Sequence, residues 1–309
     1  MSIPVPTASD VPEVPRPIAP RGRHVRAQAA RARRVRTLQL TPVMVFYGVF
    51  FVAPLAIFFL YSFWTVDGYD IVARWTLGNY ADAVSDPVYR SLMRNTLVIA
   101  AIVSAITLVI AYAFAHALRF HLARWQEPLL LLVLVALFSG YLVRIYAWRT
   151  ILGNEGIVNE GLRALGVIEQ PLSFLLYNRW AAILVLVNFA VPVAILPIYA
   201  ALQNVQGEAI EAARDLGCGR FTAFRRVTLP LAWPGLFFSF ALTFVIAAGD
   251  YVVPQLVGGS SGTMVGKIIS DKFALAFDWP GGAALAFTAL ACVLLVLAVV
   301  KLVGDRAIR

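Results

Sequence analysis

Three observations predict an all-α membrane protein with six transmembrane helices. Of the 309 residues 60% are hydrophobic, only 14% are charged, and the apolar residues gather into six runs of spanning length. A soluble domain carries about 25% charged residues, and a helix needs about 20 mostly apolar residues to cross a bilayer. The runs fall at about 42–64, 95–118, 128–150, 180–202, 234–253 and 282–303. Residues 41–305 are therefore predicted to form one transmembrane domain, interrupted by a polar segment at about 203–233.

Taken in order, residues 1–40 combine spaced prolines with eight arginines. That composition cannot bury a core, and a disordered basic tail is predicted. Arg33–Arg34 has the form of a twin-arginine export signal, but the run that follows is long enough to span, so a retained anchor is expected. Between the first two runs the chain is polar, with a short helix expected near 79–84. The second run carries Ser104, Thr107, Ala111, Ala113 and Ala115, small side chains that let helices approach closely in lipid.

The third run is read as one helix that ends in YLVRIYAWRTIL, with Arg144, Tyr146 and Trp148 near an interface. An intramembrane arginine is a functional candidate by default; it could equally snorkel or pair with a carboxylate to fix the bundle. A helical pattern follows at 157–165. The fourth run contains Pro192 and Pro197, which kink a helix or free carbonyls into a cavity. Near the end of the fifth, Asp250 could attract a cation or pair with Arg144, or be an ordinary interfacial residue if the helix stops near Ala248. Asp250, Tyr146, Trp148 and Tyr251 would suit a cationic amine through charge and cation–π contact. With Arg144 they form a candidate translocation set.

Charge placement sets an orientation. With the N-terminus inside, the tail, Arg119, Arg124, Arg214, Arg220, Arg225, Arg226, Lys301, Arg306 and Arg309 would lie in the cytoplasm. The opposite loops hold fewer: Arg74, Arg90, Arg94, Arg163, Arg179, Lys267 and Lys272. By the positive-inside rule both termini and the segment Glu208–Gly235 are expected to be cytoplasmic. The formal charge of +9 is accounted for as topology, with no nucleic-acid partner implied.

Several chemistries find no support. Cys218 and Cys292 lie in different regions, and His24, His116 and His121 are scattered, so neither a disulfide framework nor a metal site is implied. GGSSGTMVGK at 258–267 fails as a phosphate-binding loop, because Ser261 stands where the first glycine is needed and Ile268 where Ser or Thr must follow the lysine. No catalytic arrangement is evident, so a transport subunit rather than an enzyme is expected, with no cofactor in this chain.

The polar segment EAIEAARDLGCGRFTAFRRVTLPLAWPG, Glu208–Gly235, is the focus of the chain. Strong helix formers run to Leu216, and Gly217 suits a left-handed cap. A second helix is expected from Gly219 or Arg220 to Val227, stopped by Pro230 and Pro234. In it Phe221 and Phe224, three apart, share a face among Arg220, Arg225 and Arg226. Such a helix suits a socket on another protein, or could lie in lipid headgroups with its aromatics down.

Glu211-Ala212-Ala213, then Gly217, then Val227, Thr228, Leu229 and Pro230 resemble the EAA loop of the membrane subunits of binding-protein-dependent ABC importers, in spacing as well as residues. YLVRIYAWRTILGNEGIVNEGL at 141–162 and GDYVVPQLVGG at 249–259, followed by Met264, Gly266 and Ile268, resemble the spermidine/putrescine permeases of the B type. The resemblance implies a type I ABC importer permease bundle in a bacterial inner membrane. It implies a cytoplasmic coupling loop that docks on an ATPase dimer through Phe221, Phe224 and Arg225, shaped by Glu211 and Gly217. It further implies a second permease subunit and an external or periplasmic solute-binding protein, with ATP and Mg held by the ATPase. The implied function is import of a polyamine by alternating access. The same importer class acting on another small solute, such as an amino acid or organic cation, and a secondary transporter working without ATPase are the alternatives.

Overall fold

The computed structural model describes residues 40–308 apart from Tyr69. The predicted tail, but for Leu40, lies outside the described residues. Contacts divide the chain after Ile57. In the first unit the described residues are the apolar start of helix α1 (Leu40–Tyr61), with a π-helical turn at Gly48–Val52.

The second unit continues from Phe58 with an antiparallel hairpin, β1 (Thr65–Asp67) and β2 (Asp70–Val72), in which Val66 faces Ile71. Then come α2 (Gly78–Ser85), α3 (Pro87–Phe120), α4 (Gln126–Phe138), α5 (Tyr141–Leu152) and α6 (Ile157–Ala164). The chain goes on through α7 (Arg179–Gln203), α8 (Gly207–Asp215), α9 (Arg220–Ala248), α10 (Val265–Ala274) and α11 (Trp279–Ile308). The expected short helices at 79–84 and 157–165 are α2 and α6.

Five of these helices, α1, α3, α7, α9 and α11, are long and apolar enough to cross a membrane, and the third run supplies a sixth crossing only if its two bent pieces count as one. The single helix expected over 128–150 is broken: the stretches Ala123–Phe138 and Tyr141–Ala164 meet at 91°. Ser139 and Gly140 both take extended backbone angles there, ψ 131° and 129°. A Gly/Ser pair is one of the few sequences that kinks a helix sharply without proline. The Arg144 guanidinium donates to the Ala136 carbonyl at the end of α4, which also accepts the Ser139 N–H at 3.4 Å.

At the centre stands α7. Of its most apolar 18 residues 56% are buried, against 39% for α9 and 33% for α3. Two apolar clusters lie along it, one with Ile99, Val103, Ile145 and Phe244, the other with Ala111, Leu118, Ile198 and Leu236. The small residues of α3 behave as expected at Ser104, Thr107, Ala111 and Ala115, all fully buried. Ala113 does not: it is exposed, on the opposite face of the helix. Pro192 and Pro197 both lie inside α7, and the Ser239 hydroxyl of α9 donates to the Ala194 carbonyl between them at 3.1 Å.

The end of the bundle away from α8 is stapled by the 258–264 stretch. Asn95 Nδ2 donates to the carbonyls of Ser261 (3.1 Å) and Thr263 (2.6 Å), and Thr96 Oγ1 accepts from the Val265 N–H at 2.8 Å. The Arg179 N–H reaches Ser261 Oγ at 3.1 Å. The glycine-rich sequence thus ties together the starts of α3, α7 and α10. Lys272 of α10 donates to Asp278 at 2.6 Å ahead of α11. Burial works to lower the Lys272 pKa, but the bond and charge of Asp278, with Tyr89, outweigh it and hold the ammonium above its usual value.

Where α7 meets α9, a Cβ added at Gly235 would collide with the Ala201 methyl. Gly235→Val is expected to lower stability by about 1–3 kcal/mol through overpacking. Thermal melting in detergent checks this against Gly161→Ala, which has open space and is expected to melt no earlier than the parent.

Candidate functional site

The polar segment folds as a helix–turn–helix. In α8 the first turn carries Glu208 and the last Arg214, which suits the helix dipole at both ends. It closes in a Schellman motif: Gly217 takes φ 83°, the Cys218 N–H reaches the Ala213 carbonyl at 3.1 Å, and the Gly217 N–H reaches Arg214 at 2.8 Å. Val205, fully buried, and Ile210, packed on the core, hold the segment to the bundle.

After the turn, the sequence reading needs correction. Pro230 and Pro234 do not stop the second helix, which runs unbroken from Arg220 to Ala248. The physical reason is a π turn at Phe224–Thr228, closed by the Leu229 N–H on the Phe224 carbonyl. Pro230 then falls in the first turn of the following α-helical stretch, where a missing N–H costs least.

Nor do the two phenylalanines both face outward. Phe221 is 74% exposed, whereas Phe224 packs edge-on against Tyr112 of α3, ring centroids 5.9 Å apart. The second exposed apolar side chain is Leu216, 86% exposed, which spacing alone did not single out. Glu211, Ala212 and Arg225 are also exposed, while Ala213, Leu229 and Pro230 are half-buried. The Glu211 carboxylate makes no ion pair among the described residues. What this segment presents is two exposed apolar side chains, Leu216 and Phe221, with exposed Arg214, Asp215, Arg220 and Arg225 near them in the chain, on a well-braced support.

A second cluster forms at the other end of α9. Asp250 follows that helix, and its Oδ1 accepts the backbone N–H groups of Val252 (2.8 Å) and Val253 (3.0 Å). The Tyr141 hydroxyl donates to its Oδ2. The Asp250–Arg144 pair, one of the alternatives open in the sequence, does not form: Arg144 turns to the Ala136 carbonyl and lies 5.5 Å over the Phe189 ring. The helix does end at Ala248, as one reading had it, yet Asp250 is half-buried and fully engaged rather than loosely interfacial.

Of the candidate translocation set, the structure brings Asp250 and Arg144 near one aromatic pair, Tyr141 and Phe189, whose rings sit 5.0 Å apart. Trp148 packs against the core, and Tyr146 is 51% exposed elsewhere on α5. Tyr251 lines a mainly apolar cavity of about 590 Å³ with Val265, Phe273 and Leu290. Tyr141 was legible as a partner only through its i, i+3 relation to Arg144; nothing in sequence pointed to Phe189.

Residues 27–309 match the family of binding-protein-dependent transport system inner membrane components. The chain belongs to this family. Among its relatives is the spermidine/putrescine transport system permease protein PotB of Haemophilus influenzae, 34% identical over 249 residues, covering 80% of this chain and 86% of that one. PotB of Escherichia coli is 34% identical over 229 residues, 74% and 82% of the two chains. The inner membrane ABC transporter permease protein YdcU of Escherichia coli is 28% identical over 280 residues, 86% and 88%. A bacterial alginate ABC transporter, solved with its pentasaccharide-bound periplasmic protein, superposes with a TM-score of 0.70 at 14% identity, covering 91% of this chain and 98% of that one. It shows that the importer permease fold is shared.

As a family member the chain is an inner-membrane transport component and not a catalytic one. Its two sites lie at opposite ends of one helix, α9. Tyr141→Phe would leave Asp250 Oδ2 short of its donor. The expected cost is about 1–3 kcal/mol, read as an earlier melting transition in detergent.

Proposed function

We propose that this chain is a permease subunit of an ATP-driven importer for polyamines, and that Glu208–Gly235 is the surface through which a separate ATPase drives it. The observation that carries the reading is the exposed Leu216–Phe221 tip on the braced helix–turn–helix of α8 and α9. An exposed phenylalanine with arginines nearby has the residue types that protein interfaces favour. The complete EAA spacing from Glu211 to Pro230 supports the same assignment.

In this reading both termini and the coupling segment are cytoplasmic, in accord with the arginine bias. An ATPase dimer holds ATP and Mg, and an external solute-binding protein delivers the solute to the Asp250 end. A second permease subunit completes the pathway; 30% identity over 129 residues with PotC of Escherichia coli, a related permease, supports a heterologous pairing. ATP would close the ATPase dimer, and α9 would carry that movement to the far end.

Likeness to PotB supports a polyamine, and the chemistry agrees. A polyamine alternates ammonium groups with methylene stretches. Tyr251 and Phe273 line an apolar cavity that begins next to Asp250 in the chain, aromatic and aliphatic walls for the methylenes, while the Asp250 carboxylate is held by Tyr141 and the Val252 and Val253 N–H groups. Arg144 is turned away from it.

Two outcomes test the reading. Phe221→Asp is expected to shed the ATPase on mild-detergent purification with melting unchanged, since the side chain is exposed, whereas Phe224→Asp lowers melting by removing the contact with Tyr112. An ATPase still bound to the Phe221→Asp complex would overturn the docking assignment. For the solute, Asp250→Asn keeps the size and loses the charge. It is expected to slow labelled spermidine uptake into proteoliposomes several-fold; uptake of an amino acid but no polyamine by the parent would retain the importer and discard its proposed solute.

A further inference from the structure

A groove of about 930 Å³ lies beside the coupling segment, between the start of α9 and the end of α11, and shares Phe221 and Arg225 with the proposed docking surface. Its walls include Arg225, Arg226, Pro230, Trp233 and Gly304. A Cβ at Gly304 would run into the Trp233 ring, so the indole rests against the backbone of α11. The indole N–H donates to Asp305 Oδ1 at 2.7 Å.

From this floor the same face continues along both helices. Phe237 stands 6.1 Å from the Trp233 ring, and Lys301 Nζ lies 5.9 Å over Phe237. Beside them Phe238 and Val303 are exposed by 58% and 60%. Polarity is therefore graded: two guanidiniums at the rim, an indole and an ammonium below, then bare apolar surface.

The charge is lopsided. Arg225 and Arg226 are exposed and make no ion pair among the described residues. The nearby carboxylate, Asp305, is already engaged by the indole. A tryptophan and a lysine at one level mark the membrane–water interface of a spanning chain. Basic recesses between spanning helices at that level take anionic head groups, and guanidinium groups match phosphate oxygens in geometry.

We propose that this groove holds the phosphate of an anionic phospholipid, with Arg225 and Arg226 on the head group and the acyl chains along the exposed apolar face of α9 and α11. Inorganic phosphate shares the head-group chemistry but not the apolar half of the site. The inference needs only that the chain spans a membrane; because Phe221 and Arg225 are shared with the proposed docking surface, the test reads bound lipid and bound ATPase separately.

Native mass spectrometry of the full chain, purified with its co-purifying subunits from nanodiscs of mixed phosphatidylglycerol and phosphatidylcholine, tests it. The parent is expected to retain phosphatidylglycerol over phosphatidylcholine, excess inorganic phosphate is expected not to displace it, and Arg226→Gln is expected to reduce retention about fivefold, with a larger loss when Arg225→Gln is added. Arg226 is exposed, and a melting curve run alongside confirms that the variant is folded. Equal retention of both lipids, unchanged retention in the double variant, or displacement by phosphate would each overturn the proposal. So would loss of an ATPase subunit with the lipid still bound, which would give the two arginines to protein docking.

Discussion

Close approach of backbones, at the cost of side-chain volume, is the constraint on which the bundle depends. In lipid there is no hydrophobic force to drive helices together, so contact must come from van der Waals packing and hydrogen bonds. That is why α7 meets α9 where Ala201 faces Gly235 and where Ser239 reaches the Ala194 carbonyl, and why the buried face of α3 is built from Ser104, Thr107, Ala111 and Ala115. The large residues of the core, Phe244, Ile99 and Leu186, fill the space on either side of these contacts. Everything at the two ends of the bundle is held in place by this central packing.

The ends are fixed by a different means, since there the backbone leaves its helices and its polar groups must find other partners. At one end Asn95, Thr96, Asn178 and Asp250 satisfy that need with side chains. At the other, a glycine in the left-handed conformation lets the chain satisfy itself. The first solution makes a rigid rim; the second leaves Leu216 and Phe221 uncovered on a firm base.

Hydropathy made the spanning runs readable, because it depends only on composition over a long window. It says nothing about direction inside a run, so the right-angle break at Ser139–Gly140 stayed hidden, although the Gly/Ser pair was in view. The cap at Gly217 was readable because few residues other than glycine adopt that conformation freely. Pro230 and Pro234 misled because their effect depends on register, and a π turn shifts register by one residue. The i, i+3 spacing of Phe221 and Phe224 placed them on one side of the helix but could not say that this side curves against Tyr112. Asp250 stood out as a charge near an apolar run, while its partners came from residues 109 positions away and from its own backbone. No local pattern contains such a contact.

The unbroken course of α9 has a mechanical meaning. At about 1.5 Å per residue, its 29 residues make a rod roughly 44 Å long, with Phe221 near one tip and Asp250 just past the other. Pro234 and Gly235 lie midway along it, yet the helix stays continuous, and its closest approach to Ala201 of α7 falls at that same point. In the proposed cycle a displacement at the Phe221 tip would therefore reach the Asp250 end through a stretch whose backbone rests on α7.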